Sequence, residues 1–187
     1  MQHRITHSVT LILGGVRSGK SRYAQQLAER ADRVTFVATA EHRDDPEMRL
    51  KIDRHRADRP EAWTTIEEPL HLAAAICNAA TTSDAILVDC LTLFAANVLE
   101  AYEGNEVDLE SEVSRLCDVL KAASCSLILV SNEVGSGVVP AYASGRKFRD
   151  LVGEINQRVA AVADTVLLMV AGLPLAIKGS VPTEAAR

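Results

Sequence analysis

The feature that most constrains how this chain folds is a glycine-rich segment at residues 14–21. It reads GGVRSGKS and fits the pattern G-x-x-x-x-G-K-[ST], which is typical of loops that hold nucleotide phosphates. Residues 9–13 before it form an apolar run with the length of a buried strand, and residues 21–30 after it are rich in helix formers. This order of strand, loop and helix is the context that a phosphate-binding loop requires.

The residue types within this segment explain how it would bind phosphate. Glycine lets the backbone curl so that successive N–H groups point at phosphate oxygens, and the following helix directs the positive end of its dipole at the same anion. We expect Lys20 to neutralise charge on the β- and γ-phosphates, and the hydroxyl of Ser21 to bind Mg²⁺. The segment therefore predicts a nucleotide site that uses magnesium.

Length and charge narrow the class of protein. The 187 residues suffice for one hydrophobic core and are too few for two domains, so we expect a single domain over residues 1–187 with a frayed tail at 179–187. The net charge of −5 argues against nucleic acid as a main partner, because there is no basic surplus to neutralise its phosphates.

The cysteines and the apolar pattern indicate the compartment. Cys77, Cys90, Cys117 and Cys125 show no C-x-x-C spacing, so we expect reduced thiols rather than a zinc site or a disulfide framework. The first residues lack the apolar run of a secretory signal, and no apolar stretch is long enough to span a bilayer. We therefore expect a cytoplasmic protein with no membrane insertion.

Apolar strand patterns alternate with helical patterns along the chain. Strands are predicted at residues 9–13, 33–38, 63–66, 85–89, 126–130, 165–170 and 175–177. Helices are predicted at residues 21–30, 46–58, 69–80, 91–102 and 107–122, and from Phe148 onward. The alternation predicts an α/β fold with a mainly parallel sheet covered by helices on both faces, in which ligands bind at the carboxyl ends of the strands.

Polar residues lie at the carboxyl ends of two predicted strands. Asp89 ends the strand at 85–89, where an acid could hold Mg²⁺ or could cap the helix that begins at Leu91. We favour the metal role, because a nucleoside triphosphate needs a cation. Asn132 and Glu133 follow the strand at 126–130, and both ordinary loop polarity and a substrate-contacting or catalytic loop remain open for them.

Two further patterns have a plain structural interpretation. Residues 150–153 match the D-x-x-G of switch GTPases but lie inside the amphipathic helix, and no N-K-x-D motif for guanine occurs. His55 lies among several arginines, whose charge favours the neutral imidazole that attack on phosphorus requires. From the residues alone, a solvated basic helix face with an idle histidine is the better interpretation.

Taken together, several segments resemble one family, the bifunctional adenosylcobinamide kinases / adenosylcobinamide-phosphate guanylyltransferases of cobalamin synthesis. The segments that carry the resemblance are residues 14–22, residues 37–40, His55 with Arg56, Arg59 with Pro60, residues 88–92, Asn97, residues 130–135, Val139 with Pro140, residues 148–150 and residues 156–158. They follow the family's order over almost the whole chain, which is far more specific than the phosphate loop alone.

The resemblance implies a RecA-like P-loop fold, a homotrimer and two reactions. In the first reaction, ATP or GTP phosphorylates the aminopropanol hydroxyl of adenosylcobinamide. In the second, GTP gives GMP to a histidine, and the guanylyl group passes to adenosylcobinamide phosphate to form adenosylcobinamide-GDP. The resemblance makes His55 that nucleophile, which overturns the interpretation from the residues alone, and Lys20 is the second predicted catalytic residue.

The same resemblance implies a set of residues that contact GTP. The predicted nucleotide-binding residues are Gly14, Gly15, Val16, Arg17, Ser18, Gly19, Lys20, Ser21, Ala38, Thr39, Ala40, Arg56, Ala57, Asp58, Arg59, Glu67 and Asp89. The predicted Mg²⁺ ligands are Ser21 and Asp89. Two other hypotheses are a plain small-molecule kinase, which would leave His55 idle, and a RecA-like or switch NTPase that acts on a macromolecular partner.

Overall fold

The computed structural model describes residues 7–40 and 59–182, and within them the chain forms seven strands and five helices. The strands are β1 (Ser8–Gly14), β2 (Val34–Ala38), β3 (Thr64–Glu67), β4 (Ala85–Asp89), β5 (Ser126–Val130), β6 (Thr165–Val170) and β7 (Leu173–Lys178). The helices are α1 (Lys20–Ala28), α2 (Leu72–Ala79), α3 (Leu91–Ala101), α4 (Glu106–Ala122) and α5 (Ala143–Val162). The helix predicted at 46–58 lies outside the described residues.

The strands form one sheet in the order β3-β2-β4-β5-β1-β6-β7. Strands β1 to β6 pair in parallel, whereas β7 is antiparallel to β6 at the edge of the sheet. Val130 of β5 lies opposite both Asp89 of β4 and Ile12 of β1. The carboxyl ends of these central strands therefore meet at one edge, and the predicted mainly parallel sheet is confirmed.

Helices bury both faces of the sheet. On one face α2, α3, α4 and α5 pack against strand residues such as Val88 and Leu129. On the other face α1 packs against the alternate residues, which include Leu87 and Ile128. Because both faces are covered, the central strands consist of continuous apolar runs rather than alternating ones.

Two elements begin at least two residues earlier than the sequence predicts. Helix α5 begins at Ala143, five residues before Phe148, because its first turn is mostly exposed and carries no apolar repeat. Strand β7 begins at Leu173 and includes Pro174, which was predicted to lie in the turn. A proline is tolerated there because β7 is an edge strand. No helix within residues 7–40 and 59–182 is both long enough and apolar enough to cross a membrane.

An ionic contact joins β2 to β4 at the amino-terminal edge of the sheet. Asp84 is 8% exposed and accepts hydrogen bonds from the backbone N, Nε and Nη2 of Arg33, at 3.0, 3.1 and 2.6 Å. These side-chain hydrogen bonds lower the pKa of Asp84 below its usual value. The carboxylate therefore stabilises the fold in its ionised form.

We expect Asp84→Asn to reduce the free energy of unfolding by about 1–3 kcal/mol at neutral pH, because the variant loses charge-assisted hydrogen bonds at a buried site. The pKa of Asp84 is lowered in the folded state, so the difference from wild type should shrink as the pH falls through that pKa. Urea unfolding at neutral and acidic pH measures this. Asp118→Asn, which alters an exposed pair, is the control; equal losses in both variants would contradict the prediction.

Candidate active site

The phosphate loop connects β1 to α1 at the carboxyl edge of the sheet. Its backbone takes positive φ angles at Gly14 (151°) and Gly19 (94°). A Cβ at Gly14 would lie 2.6 Å from the carbonyl oxygen of Met169, and one at Gly19 would lie 3.2 Å from Cα of Gly172. The N–H of Gly172 also donates to the carbonyl of Ser18 at 2.9 Å. The β6–β7 hairpin therefore supports the loop, and this contact requires glycine at both loop positions.

Lys20 lies at the start of α1 and is only 7% exposed. Its Nζ donates to the carbonyl oxygen of Gly15 at 2.6 Å and to Oγ of Ser18 at 3.4 Å. Burial lowers the pKa of Lys20, while the nearby Cys90 and Asp89 act in the opposite direction. The ammonium group is thus held against the loop and within electrostatic range of an acid at the end of β4.

Thr39 joins the end of β2 to the end of β4. It is fully buried, and its Oγ1 accepts from the backbone N of Cys90 at 2.8 Å and donates to the carbonyl of Cys90 at 2.7 Å. Nδ2 of Asn97 in α3 donates to the carbonyl of Thr39 at 2.8 Å. These contacts hold the residues after β2 beside Asp89.

Asp89 is half-buried at the carboxyl end of β4. The N-cap residue of α3 is Cys90, so the structure does not place Asp89 at the capping position. Ser21 is half-buried in the first turn of α1, next to Lys20. A carboxylate and a hydroxyl on adjacent elements are hard oxygen ligands, which fits a site for Mg²⁺.

Burial raises the pKa of the Cys90 thiol to about 11, and the negative charge of Asp89 adds to the effect. Burial likewise raises the pKa of Cys117 and Cys125, whereas Cys77 is exposed. Because the thiolate is the reactive form, we expect iodoacetamide near neutral pH to alkylate Cys77 at least about tenfold faster than Cys90. Peptide mass mapping after timed alkylation measures both rates, and Cys77→Ser should remove the fast phase. Equal rates at the two thiols would refute the prediction.

Strand β3 brings Glu67 to this edge, and Arg59 lies five residues before that strand. Glu67 is exposed and pairs with Ala38 of β2. The guanidinium carbon of Arg59 lies 3.6 Å from the centroid of the Phe36 ring, a cation–π contact. Glu68 differs from Glu67, because its carboxylate accepts two backbone N–H groups of the turn before α2. The carboxylate of Glu68 therefore stabilises this turn.

The sequence-predicted residues fall into two groups. The structure brings together the phosphate loop, the residues after β2 and Asp89, and it places Glu67 one strand further along the edge. The predicted residues outside the described part of the chain are His55, Arg56, Ala57 and Asp58.

Sequence reasoning missed how buried polar groups support the site. Thr92 and Asn97 are 7% and 5% exposed, and both lie on α3, whose other buried residues are apolar. Oγ1 of Thr92 accepts the backbone N of Asn132 at 2.8 Å, which holds the segment after β5. The available signal was a polar residue within an otherwise apolar helix, since such groups need hydrogen-bond partners when they are buried.

The sheet order, the glycine loop and the acid at the end of β4 define a P-loop protein with a RecA-like α/β fold. The family described as cobinamide kinase / cobinamide phosphate guanyltransferase matches residues 10–177. This match covers most of the chain, so the chain belongs to that family.

Curated relatives agree with this assignment. The chain is 45% identical over 170 residues to the bifunctional adenosylcobalamin biosynthesis protein CobP of Pseudomonas aeruginosa, covering 90% of this chain and 96% of that protein. It is 38% identical to the bifunctional adenosylcobalamin biosynthesis protein CobU of Salmonella typhimurium and 36% identical to that of Escherichia coli. Each of these two alignments spans 179 residues, 90% of this chain and 98% of the relative. The family resemblance inferred from the motifs is therefore confirmed.

Solved structures share the fold. An ATPase from the type III secretion system of pathogenic bacteria superposes with a TM-score of 0.59 at 16% identity, covering 86% of this chain and 50% of that chain. The RadB recombinase gives a TM-score of 0.52 at 19% identity, covering 88% and 74%. Identities this low show the fold alone, and they confirm the predicted RecA-like P-loop architecture.

Proposed function

We propose that this protein catalyses two successive reactions of adenosylcobalamin biosynthesis. It first transfers the γ-phosphoryl group of ATP or GTP to adenosylcobinamide, and then transfers GMP from GTP to adenosylcobinamide phosphate. The family match over residues 10–177 carries the proposal. The glycine loop supports it, because both reactions need a site that binds a nucleoside triphosphate.

Lys20 acts on the phosphates in both reactions. Its ammonium is buried against the loop, where a positive charge interacts with phosphate more strongly than it would in water. The loop residues 14–21 provide backbone N–H groups, and the dipole of α1 adds positive potential at the same place. Ala38, Thr39, Ala40, Arg59 and Glu67 line the rest of the nucleotide site at the ends of β2 and β3.

Mg²⁺ is held by Ser21 and Asp89 in this proposal. A bound magnesium ion neutralises charge on the phosphates during transfer. Asp89 suits this role because it is half-buried beside the loop and within electrostatic range of Lys20. The carboxylate and the hydroxyl would hold the cation, and the cation would supply charge neutralisation beside Lys20.

The second reaction proceeds through a covalent histidine intermediate on His55, which lies outside the described residues. The imidazole nitrogen attacks the α-phosphorus of GTP, the bond to pyrophosphate breaks, and a phosphoramidate forms. The phosphate oxygen of adenosylcobinamide phosphate then displaces the imidazole, which leaves readily when protonated. The support for this step is the family resemblance of the segment that contains His55, Arg56, Ala57, Asp58 and Arg59.

The proposal includes a cytoplasmic homotrimer of single-domain chains. An exposed apolar row supports self-association: Leu173, Leu175 and Ile177 of β7 are 71%, 56% and 62% exposed. These alternate residues share one face of the edge strand. Subunits commonly cover apolar surfaces of this kind.

One labelling experiment tests the proposed function. The protein is incubated with Mg²⁺ and GTP labelled at the α-phosphate, and the expected result is acid-labile, base-stable label on the chain. Adding adenosylcobinamide phosphate should move that label to adenosylcobinamide-GDP. With γ-labelled ATP or GTP, label should pass to adenosylcobinamide. Transfer of the γ-phosphoryl group without any α-label would support the plain kinase instead, and hydrolysis stimulated only by a protein or DNA would support the NTPase.

A further inference from the structure

The short segment at residues 131–133 follows β5 and is fixed by hydrogen bonds with three elements, β1, α3 and α5. The N–H of Ser131 donates to the carbonyl of Ile12 at 3.0 Å, and the N–H of Glu133 donates to the carbonyl of Gly14 at 3.1 Å. These two contacts attach the segment to β1 and to the first residue of the phosphate loop. The hydroxyl of Thr92 on α3 accepts the N–H of residue 132 at 2.8 Å.

Asn156 of α5 completes this support. It is 6% exposed, and its Nδ2 donates to the carbonyl of Asn132 at 3.1 Å. Its Oδ1 is buried and has no hydrogen-bond partner within residues 7–40 and 59–182. A buried amide that satisfies one of its two polar atoms is costly to place on a packed helix face. The interaction it does make is with the backbone that carries Glu133.

The sheet order places Glu133 beside the predicted phosphate site. Strand β5 lies between β4, which ends at Asp89, and β1, which ends at Gly14. The carboxylate of Glu133 is exposed, and its Oε1 accepts the N–H of Gly135 at 2.7 Å. The backbone that carries this carboxylate is thus fixed at the carboxyl end of β5, between the strands that end at Asp89 and Gly14.

We propose that Glu133 accepts the proton of the acceptor alcohol in the phosphoryl-transfer reaction, and that Asn156 is the residue that positions it. This inference rests on the proposed function, in which that alcohol is the aminopropanol hydroxyl of adenosylcobinamide. The alcohol oxygen bonds to the γ-phosphorus, and the bond from the γ-phosphorus to the β-phosphate oxygen breaks. The alcohol proton passes to the carboxylate of Glu133 and then to water, and the nucleoside diphosphate leaves.

The second reaction gives Glu133 no equivalent task. Its nucleophiles are an imidazole and a phosphate oxygen, and neither carries a proton that must be removed at neutral pH. An aliphatic alcohol is a much weaker acid, so a base near it accelerates only the first reaction. This difference separates a proton acceptor from a residue that merely shapes the loop.

Glu133→Gln tests the proposal, because the amide oxygen can still accept the N–H of Gly135 while the basic carboxylate is lost. We expect kcat for phosphorylation of adenosylcobinamide to fall by about a hundredfold or more. The rates of guanylylation by GTP and of guanylyl transfer should stay within about threefold of wild type. Glu29→Gln, at the exposed C-cap of α1, is the matched control and should change neither reaction.

Asn156→Leu provides the second measurement. It removes the donor to the carbonyl of Asn132 at similar volume, and we expect about tenfold lower kcat for phosphorylation with the KM for the nucleotide unchanged. An equal fall in both reactions in either variant, or full phosphorylation by Glu133→Gln, would overturn the inference. Absence of both reactions in the wild-type protein would instead overturn the proposed function, so the two failures are distinguishable.

Discussion

Lys20→Met should lower the rates of phosphoryl transfer and of guanylylation by at least about a hundredfold each, because under the proposed function one buried ammonium serves the phosphates in both reactions. Methionine matches the length of the lysine stem and is apolar, so the variant should fold at least as stably as wild type at this buried position. Single-turnover rates with α-labelled and γ-labelled nucleotides measure the two effects separately.

A matched control separates the role of Lys20 from a general effect of losing a charge. Lys121→Met removes an exposed lysine near the end of α4, and neither rate should change by more than about twofold. Thermal unfolding of both variants checks that they remain folded. If Lys20→Met kept more than about a tenth of either wild-type rate, Lys20 would not be the main phosphate-binding cation in that reaction.

His55→Ala should abolish covalent labelling by α-labelled GTP and reduce guanylyl transfer by about a thousandfold or more, since alanine has no nitrogen that can form the phosphoramidate. Phosphorylation of adenosylcobinamide should persist, because that reaction requires the phosphate loop and not the covalent intermediate. Mass spectrometry of labelled wild-type peptides should place the guanylyl group on the peptide that contains His55.

His71→Ala is the control for the histidine prediction. His71 is the N-cap residue of α2, makes no side-chain capping hydrogen bond and is exposed, so its replacement should leave labelling intact. Label that persists in His55→Ala would place the nucleophile elsewhere, with His42 and His71 the next residues to replace. A wild-type protein that takes no label would leave the plain kinase as the better description.

The sequence predicts the central strands well, and the reason is physical. Strands β4 and β5 were predicted with the bounds that the structure gives, 85–89 and 126–130, because burial on both faces makes them short apolar runs with polar ends. Edge elements carry weaker signals. The start of α5 is polar, and β7 contains Pro174, so neither shows a full pattern in the sequence.

The sequence predicts the part of the site whose residues are contiguous. It does not predict contacts between site residues that are distant in the sequence and are brought together by the fold. Residues 14–21 form a local motif, so the sequence identifies them directly. The contact between Thr39 and Cys90 spans 51 positions, and that between Asn97 and Thr39 spans 58. Such contacts depend on β2 lying beside β4, and the chain does not reveal strand order through periodicity.

Only the likeness of fold to solved structures supports the hypothesis of a RecA-like NTPase. The secretion ATPase and the RadB recombinase share the fold at 16% and 19% identity, which does not extend to what they act on. The family match covers residues 10–177 and concerns the segments around the site as well as the sheet. It therefore outweighs the fold likeness in assigning a function.

The pattern G-x-x-x-x-G-K-[ST], which forms the glycine-rich cradle between β1 and α1, occurs once in the sequence. One such cradle seats one triphosphate, so under the proposed function the two donors must take turns in each subunit. The nucleoside diphosphate product of the first reaction has to dissociate before GTP binds for the second. Adenosylcobinamide phosphate either stays bound at the edge of the site during this exchange or dissociates and binds again. Exchange of the two nucleotides at this one site, rather than the chemical steps alone, would then limit the rate of the complete reaction sequence.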